Sequence, residues 1–312
     1  MSAPVAREIA REVGVDAMRA LHRRSPVLDA FAFVGVWSTV IGLFVTLGTM
    51  RVGIAWVALF SLQGLALQCL GFLAHDLFVH RRVGGDRAAW WLANACLVPL
   101  LFGAAAYARS HADHHRHLGG EQDGEAYKED LDRRWVKLLF LLGPGSLAVS
   151  ARVFRHSRPA PCPPPAPSPE IAARLRLENI LIAGFVLVVI VAAVIDPRLV
   201  LGGFVLPLSI TLPIASTIRV VLEHGEMDRA NPYHVATCYT AGPLTGGLFL
   251  WSVGDGHLIH HLFPGIPFYR LRRARRLMLP ILLRHGVVRR TSLLRLLFGW
   301  FVENRRHATR WT

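Results

Sequence analysis

Long apolar runs alternate along the chain with polar segments that are rich in arginine and histidine. A helix needs about 20 apolar residues to cross a bilayer, because each residue adds about 1.5 Å to its length. Four runs reach or approach that length: Ala30–Met50, Val52–Ala74, Leu177–Ile195 and Leu199–Ile218. The pattern therefore predicts four membrane-spanning helices.

The four predicted spans form two hairpins with short turns. Met50–Gly53 turns the first hairpin and Asp196–Arg198 turns the second, and neither turn has room for an external domain. Arginine is more frequent in the segments at the other ends of the spans. By the positive-inside rule, this bias places the termini and the large polar segments in the cytoplasm. The arginines that carry the bias are Arg23, Arg24, Arg81, Arg82, Arg87, Arg174, Arg176 and Arg219.

Three further apolar stretches are interrupted by proline or glycine: residues 88–107, residues 135–154 and Tyr239–Val253. We expect them to lie in the membrane interface or dip into it, with a fifth or sixth span as the alternative. The chain is thus predicted to be an all-α integral membrane protein with a single domain over residues 1–312. Two transmembrane helical hairpins, or about four spans, would support a cytoplasmic or interfacial helical cap that carries the histidines.

Three segments outside the spans have distinct compositions. Residues 1–26 begin with helical periodicity and predict an amphipathic helix at the interface rather than a signal peptide. Residues 156–169 contain seven prolines, which favours an extended linker. Residues 270–312 alternate apolar and basic positions and predict an interfacial tail on anionic lipid. A docking surface for an acidic electron donor is the alternative for this tail.

Composition agrees with a membrane protein: 53% of the residues are hydrophobic and the formal net charge is +14. The arginines lie beside apolar runs and not on one polar domain, so the charge indicates a membrane surface and no nucleic acid. The four cysteines are scattered, with neither a disulfide framework nor zinc spacing.

Nine of the fifteen histidines fall into four groups, each beside a span or an apolar stretch. Two groups have the pattern H-x-x-H-H, and positions i, i+3 and i+4 share one face of a helix. Two such motifs arise by chance in roughly one chain in a thousand or fewer. We therefore predict that all nine are metal ligands at the cytoplasmic membrane face. They are His75, His80, His111, His114, His115, His224, His257, His260 and His261.

The first pair of histidines is spaced differently. His75 and His80 are five residues apart, which directs them to less similar faces of an α-helix. We expect them to bind at a helix end or to be divided between two ions.

The number of imidazoles argues for two metal ions, because nine exceed the ligand set of one zinc ion. The zinc-protease motif H-E-x-x-H is absent, and the predicted spans contain no pair of histidines for a haem. Iron is the expected metal if oxidation of a lipid is the task. The neighbouring acidic residues would orient the histidines or bind metal themselves, with plain solvation at the surface as the alternative for each: Asp76, Asp113, Glu223 and Asp255. His117 would support the second group, whereas five histidines would lie at the surface: His22, His156, His234, His285 and His307.

These motifs resemble the histidine boxes of the membrane fatty acid desaturase superfamily, over about Leu70 to Arg276. The first box is similar to His75–His80 and the second to Arg109–His117, while the third reads His-Leu-Ile-His-His-Leu-Phe-Pro-Gly from His257. The resemblance implies two non-haem iron ions held by eight or nine histidines. It also implies molecular oxygen as co-substrate and an electron donor such as a ferredoxin, a rubredoxin or a cytochrome.

The leading functional prediction is oxygen-dependent desaturation of a fatty acyl or lipid chain. The alternative is a hydroxylase or ketolase of a hydrocarbon, terpenoid or carotenoid, because Ile259 and Gly254–Gly256 depart from the usual third box. A non-catalytic metal-binding membrane protein is less favoured, since a transporter would have ligating residues along its spans. The protein would reside in the inner or plasma membrane, with its active site facing the cytoplasm.

Overall fold

The computed structural model describes residues 3–80, 86–118, 123, 166–226 and 231–302. The described residues are predominantly helical, with one pair of two-residue strands. In chain order the elements are α1 (Ala3–Val13), α2 (Val15–His22), α3 (Pro26–Thr49), α4 (Ile54–Leu73), α5 (Asp86–Leu97), α6 (Ala104–His117), α7 (Pro169–Ile195), α8 (Pro197–Val200), α9 (Leu212–His224), β1 (Cys238–Tyr239), α10 (Pro243–Leu248), α11 (Asp255–Leu262), α12 (Phe268–Arg284), β2 (Arg289–Arg290) and α13 (Leu293–Phe301).

The chain divides into two compact units. The span unit comprises Ser25–His111 and Leu139–Ser216. The terminal unit comprises Met1–Arg24, Ala112–Leu138 and Thr217–Thr312. The run at 135–154 and most of the predicted proline-rich linker fall outside the described residues.

Four helical segments are long and apolar enough to cross a membrane, which confirms the predicted number of spans. They are Pro26–Thr49, Ile54–Val79, Pro169–Ile195 and Pro197–His224, with mean hydropathies of 2.1, 1.8, 2.6 and 1.9. The third begins eight residues before its apolar run does. Ser168 caps it by accepting a hydrogen bond from the Ile171 amide, and Pro169 occupies a position in the first turn that needs no donor.

Small and amide side chains join the spans within the span unit. A Cβ atom on Gly203 would lie 2.6 Å from the Phe44 carbonyl oxygen, so the backbones approach more closely there than alanine would permit. The buried Gln63 amide of α4 donates to the Val40 carbonyl at 3.3 Å and to the Gly203 carbonyl at 2.9 Å. One side chain thereby connects three spans through their backbones.

The fourth span is irregular between α8 and α9. Two wider π-helical turns occupy Leu201–Val205 and Pro207–Thr211. Pro207 lacks the N–H that a regular helix requires, so an expanded turn there has a direct cause in the sequence.

The apolar run at 88–107 is broken, as predicted. A short 3-10 turn at Val98–Leu100 follows α5, and Leu101 adopts a left-handed conformation with φ of 64°. The segments Arg87–Leu100 and Ala104–His117 are bent by 93°. This bend directs the start of α6, the helix that carries the second group of histidines.

The N-terminal segment of the terminal unit forms two helices where the sequence predicted one amphipathic helix within residues 1–26. Gly14, with φ of 88°, separates α1 from α2. The apolar residues Val5, Ile9 and Leu21 are buried, and α1 packs against α12. The apolar face of this segment is therefore covered by protein in the terminal unit.

The predicted basic tail also contributes to the core of the terminal unit. Helix α12 buries Leu271, Ala274, Met278 and Leu282 and packs against α11, which carries the third group of histidines. Strand β1 pairs in parallel with β2, with Tyr239 opposite Arg290. The sequence suggested a tail on lipid because arginines stand between the apolar residues of α12, so that the apolar face that packs against protein was not recognised.

Candidate metal centre

The first histidine pair lies on a π-helical turn at the end of α4. The turn covers Ala74–Val79, and the His80 amide donates to the His75 carbonyl five residues earlier at 3.3 Å. In an α-helix, residues five apart point roughly 140° away from each other. The wider turn reduces that angle, so the Nε2 atoms of His75 and His80 lie 3.3 Å apart. Of the two expectations for this pair, the structure thus favours a position at a helix end.

Helix α6 brings His111 to the same pair within the span unit. The Nε2 atoms of His75 and His111 are 2.8 Å apart, and a nitrogen from each of the three histidines falls within 4.8 Å of the others. His75 and His111 are buried, while His80 is half-buried. The Tyr107 ring covers the group, with its centre 5.5 Å from that of His111.

A second set of imidazoles meets within the terminal unit. His224 ends α9, whereas His257 and His261 lie one turn apart on α11. The Nε2 of His257 is 2.8 Å from that of His224 and 2.9 Å from that of His261. His114 joins them, with ring centres 5.1 Å from His224 and 5.0 Å from His261. All four side chains are buried.

The remaining predicted ligands form a pair in the same unit. The Nε2 atoms of His115 and His260 lie 3.2 Å apart, and His115 is also tilted against the His261 ring with centres 4.7 Å apart. Eight of the nine predicted histidines therefore have a ring nitrogen beside that of another predicted ligand in the same unit. The ninth, His114, has its ring against those of His224 and His261.

The spacing of these nitrogens fits metal coordination. Two imidazoles bound at right angles to one ion, at about 2.1 Å each, have their nitrogens about 3 Å apart. The closest Nε2 pairs lie at 2.8–3.3 Å. Neutral imidazoles are also the donors that iron accepts. The residues present thus suit a transition metal in number, chemistry and spacing.

Two carboxylates orient histidines of the second set. Asp123 accepts a hydrogen bond from the His114 Nδ1 at 2.8 Å, with both side chains buried. Glu223 lies 3.3 Å from the His257 Nδ1 and accepts a hydrogen bond from the Arg219 Nε at 2.5 Å. A carboxylate on Nδ1 fixes the tautomer whose lone pair is on Nε2, the atom that faces the other imidazoles.

Burial keeps His261 in its metal-binding form. Burial, followed by the charges of neighbouring imidazoles, lowers the pKa of His261 well below its usual range. His261 is therefore neutral at physiological pH, and only a neutral imidazole donates its lone pair to a metal.

The other acidic residues proposed from the sequence have different surroundings. Asp113 forms a surface ion pair with Arg116 at 3.0 Å. Asp255 lies at the start of α11, where it accepts a hydrogen bond from Thr240 at 2.9 Å and lies 3.5 Å from Arg275. Burial raises the pKa of Asp255 to about 6, against the effect of that hydrogen bond and of the nearby arginines. Asp76 is buried beside His75 in the π-helical turn.

The histidines that were predicted to lie at the surface behave unequally. His22 is exposed and His285 is half-buried, where it stacks on Tyr233 with ring centres 4.1 Å apart. His234 is buried, with 6% of its surface exposed, so its prediction was wrong. His117 is half-buried at the end of α6. His156 and His307 fall outside the described residues.

Sequence reasoning missed two buried carboxylates that support the histidines. Asp123 carries no local motif, so nothing in the sequence connects it with His114. Glu178 is an acidic residue inside an apolar run of spanning length, a pattern that by itself predicts a functional role. Its side chain accepts hydrogen bonds from the start of α6.

Comparison with known proteins identifies the family of the chain. A search of curated proteins found no match. The family model described as fatty acid desaturase matches residues 54–293, which include all nine predicted ligands. Because the match covers most of the chain and the metal-binding groups lie inside it, the chain belongs to the fatty acid desaturase family.

Proposed function

We propose that this protein is an oxygen-dependent, di-iron membrane enzyme that desaturates a fatty acyl or lipid chain. Membership of the family makes it a desaturase-like oxidoreductase. The observation that carries the finer proposal is the spacing of buried imidazole nitrogens, at 2.8–3.3 Å in five pairs. The Nε2 atoms of His75 and of His257 each face two other imidazole nitrogens. A neutral ring nitrogen has either one proton or one lone pair, so hydrogen bonds between the rings satisfy such a cluster less well than a shared ion does.

The histidines divide naturally between two iron ions. His75, His80 and His111 would hold one ion. The other would be held by His114, His224, His257 and His261. His115 and His260 complete the proposed ligand set. Helix α6 supplies His111 to the first group and His114 to the second, whose other three ligands come from α9 and α11.

Bound iron would use molecular oxygen and two external electrons to remove two hydrogens from adjacent methylene carbons, with two further protons taken up and two waters released. The protein contributes the setting for this chemistry. Asp123 and Glu223 hold the tautomers of His114 and His257, and Arg219 holds Glu223 in place. Burial of the rings excludes bulk water, which would otherwise intercept the oxidant.

The partners follow from the same chemistry. The substrate is a lipid or hydrocarbon chain that reaches the site from the membrane. The electrons come from a donor such as a ferredoxin, a rubredoxin or a cytochrome. The distribution of arginines supports a place in the inner or plasma membrane with the site on the cytoplasmic side.

Hydroxylation or ketolation of a hydrocarbon, terpenoid or carotenoid is the second candidate. It is favoured by Gly254 before the third box, where φ is 59° and a Cβ atom would lie 2.4 Å from the Tyr239 carbonyl oxygen. A larger side chain therefore cannot replace Gly254, although aromatic residues often precede this box. Mass spectrometry separates the two reactions, since desaturation removes two hydrogens and hydroxylation adds an oxygen.

The decisive experiment combines iron quantification with product analysis under oxygen. We expect about two iron ions per chain in the purified protein, with His114→Ala and His260→Ala abolishing product while both variants still insert into the membrane. His22→Ala is the control, because His22 is an exposed histidine outside the predicted groups, and its Nδ1 donates a hydrogen bond to the Met18 carbonyl of its own helix. Full turnover by either ligand variant, or an absence of iron from the parent protein, contradicts the proposal.

A further inference from the structure

Glu178 is a buried acidic residue in the membrane-spanning helix α7, with 1% of its surface exposed. Its carboxyl oxygens accept hydrogen bonds from the Trp90 indole at 2.7 Å and the Asn94 amide at 3.5 Å. They also accept from the backbone amides of Ala105 at 2.6 Å and Ala106 at 3.4 Å. Four donors from two other helices thus converge on one side chain.

The position of these donors explains why an acidic residue is tolerated in an apolar helix. Ala105 and Ala106 lie in the first turn of α6, where backbone N–H groups have no partner inside the helix. A helix N-terminus also carries a partial positive charge that favours an acidic side chain. The carboxyl group thus satisfies backbone N–H groups at the start of α6 in a buried position, where an unpaired N–H group would be costly.

The turn before α6 is built around the same carboxyl group. A Cβ atom on Gly103 would lie 2.2 Å from the Glu178 Oε2, so only glycine permits this approach. Asn94, which donates to Glu178, also accepts a hydrogen bond from the Ala104 amide at 3.2 Å. Leu101 adopts its left-handed conformation just before, at the 93° bend.

The bend matters because α6 carries a ligand toward the first histidine pair. His111 lies six residues beyond Ala105, or about 9 Å along the helix axis. Its Nε2 lies 2.8 Å from that of His75. A shift of about 1 Å at a metal-binding group is enough to weaken a site, so the start of α6 needs a fixed anchor.

We propose that Glu178 is the positioning residue for the ion held by His75, His80 and His111, an inference that rests on the proposed function. It touches neither metal nor substrate. It acts by fixing the start and direction of α6, so that His111 reaches the His75–His80 pair. The ion held by His114, His224, His257 and His261 depends less on this anchor, because α9 and α11 supply three of its ligands.

Glu178→Gln tests the inference with little change in volume. Whichever way the glutamine side chain turns, its NH2 group would face the backbone N–H of Ala105 or of Ala106, where a carboxyl oxygen now accepts. The start of α6 therefore loses a partner and must shift. We expect binding of one iron ion to weaken at least ten-fold and the content to fall from about two ions to about one per chain. Mössbauer spectra of the iron-57 protein should lose the signal of one site and retain the other.

Glu170→Gln is the matched control. Glu170 lies on the same helix eight residues earlier, where it is exposed and pairs with Arg174 at 2.8 Å. We expect it to keep both iron ions with unchanged affinity. Membrane insertion and the thermal unfolding midpoint are measured on every variant, because a purely structural role would lower stability and release both ions together or neither.

The outcomes separate this inference from the proposed function. If the parent protein binds no iron, the proposed function is wrong and the inference falls with it. If the parent binds two ions and folded Glu178→Gln does so with equal affinity, only the positioning role is wrong. Should Glu178→Gln fail to fold, Trp90→Phe decides, since it removes one donor and keeps the carboxyl group. Selective weakening of one ion then supports the inference, and any other result overturns it.

Discussion

At the scale of single residues, two carboxylates distinguish the proposed metal site from an ordinary cluster of polar side chains. Asp123 and Glu223 each lie beside the Nδ1 of one histidine whose Nε2 faces its neighbours. Such partners fix ring orientation and strengthen the ligand, so their removal weakens metal binding without removing a ligand. Asp113 and Asp255, which the sequence also suggested, pair with arginines instead.

Asp123→Asn should weaken iron binding by about 10–100-fold while the protein remains folded. The asparagine amide has only one accepting oxygen and carries no charge, so it stabilises the required tautomer of His114 less well. Iron retained after challenge with graded concentrations of a chelator measures the change. Asp113→Asn is the control, because Asp113 lies nearby on α6 but pairs with Arg116 at the surface. Equal iron retention by the two variants would contradict the role of Asp123.

At the scale of elements, the sequence predicted helices well in two cases: where residue spacing marked one face of a helix, and where an apolar run was long enough to span a membrane. The two H-x-x-H-H motifs lie on α6 and α11, as their i, i+3, i+4 spacing required. The sequence could not predict the π-helical turn that brings His75 and His80 together. The extra residue in such a turn depends on tertiary packing and has no recognisable pattern in the sequence. The anchor of α6 was also hidden, since Glu178 is 73 residues from Ala105 in the chain.

The start of α11 requires a glycine, as the turn before α6 does, because another part of the chain lies where a Cβ atom would be. Gly254 has φ of 59° and its missing Cβ would overlap the Tyr239 carbonyl oxygen. Gly254→Ala should therefore destabilise the terminal unit by about 1–3 kcal/mol and reduce iron binding, because the helix that carries His257 must shift. Thermal unfolding and iron content are the measurements.

Gly242→Ala is the control for that prediction. Gly242 also precedes a short helix, α10, but has φ of −68° and open space where a Cβ would be. Its substitution should leave both measurements unchanged. If the two alanine variants lost iron to the same extent, the geometry of Gly254 would not be the reason.

At the scale of the whole molecule, the apolar runs determined most of what the sequence could predict. Four runs correspond to four spans, because few structures besides a membrane span use about 20 consecutive apolar residues. The terminal unit was less predictable, since its helices are short and alternate arginines with core residues. The convergence of its histidines could nevertheless be predicted, because metal binding requires a specific residue type and not only a hydrophobic one.

The two hairpin turns supply a test of how the span unit is oriented. Arg198 of the second turn donates a hydrogen bond to the Met50 carbonyl of the first, and a Cβ atom on Gly48 would overlap Leu199. Both turns therefore lie at the same end of the span unit. The 27-residue helix α7 separates this end from Glu170 by roughly 40 Å, which exceeds the hydrocarbon thickness of a bilayer.

We expect Val52→Cys to react with a membrane-impermeant maleimide on intact cells, because the positive-inside rule places the turns outside. Glu170→Cys should react only after the cells are permeabilised, since it lies at the opposite end of a span. The parent chain, with its four native cysteines, gives the background labelling. Labelling of Glu170→Cys, but not of Val52→Cys, on intact cells would show the opposite orientation. The arginine-rich segments would then lie outside the cell, and a cytoplasmic electron donor could not serve the proposed mechanism.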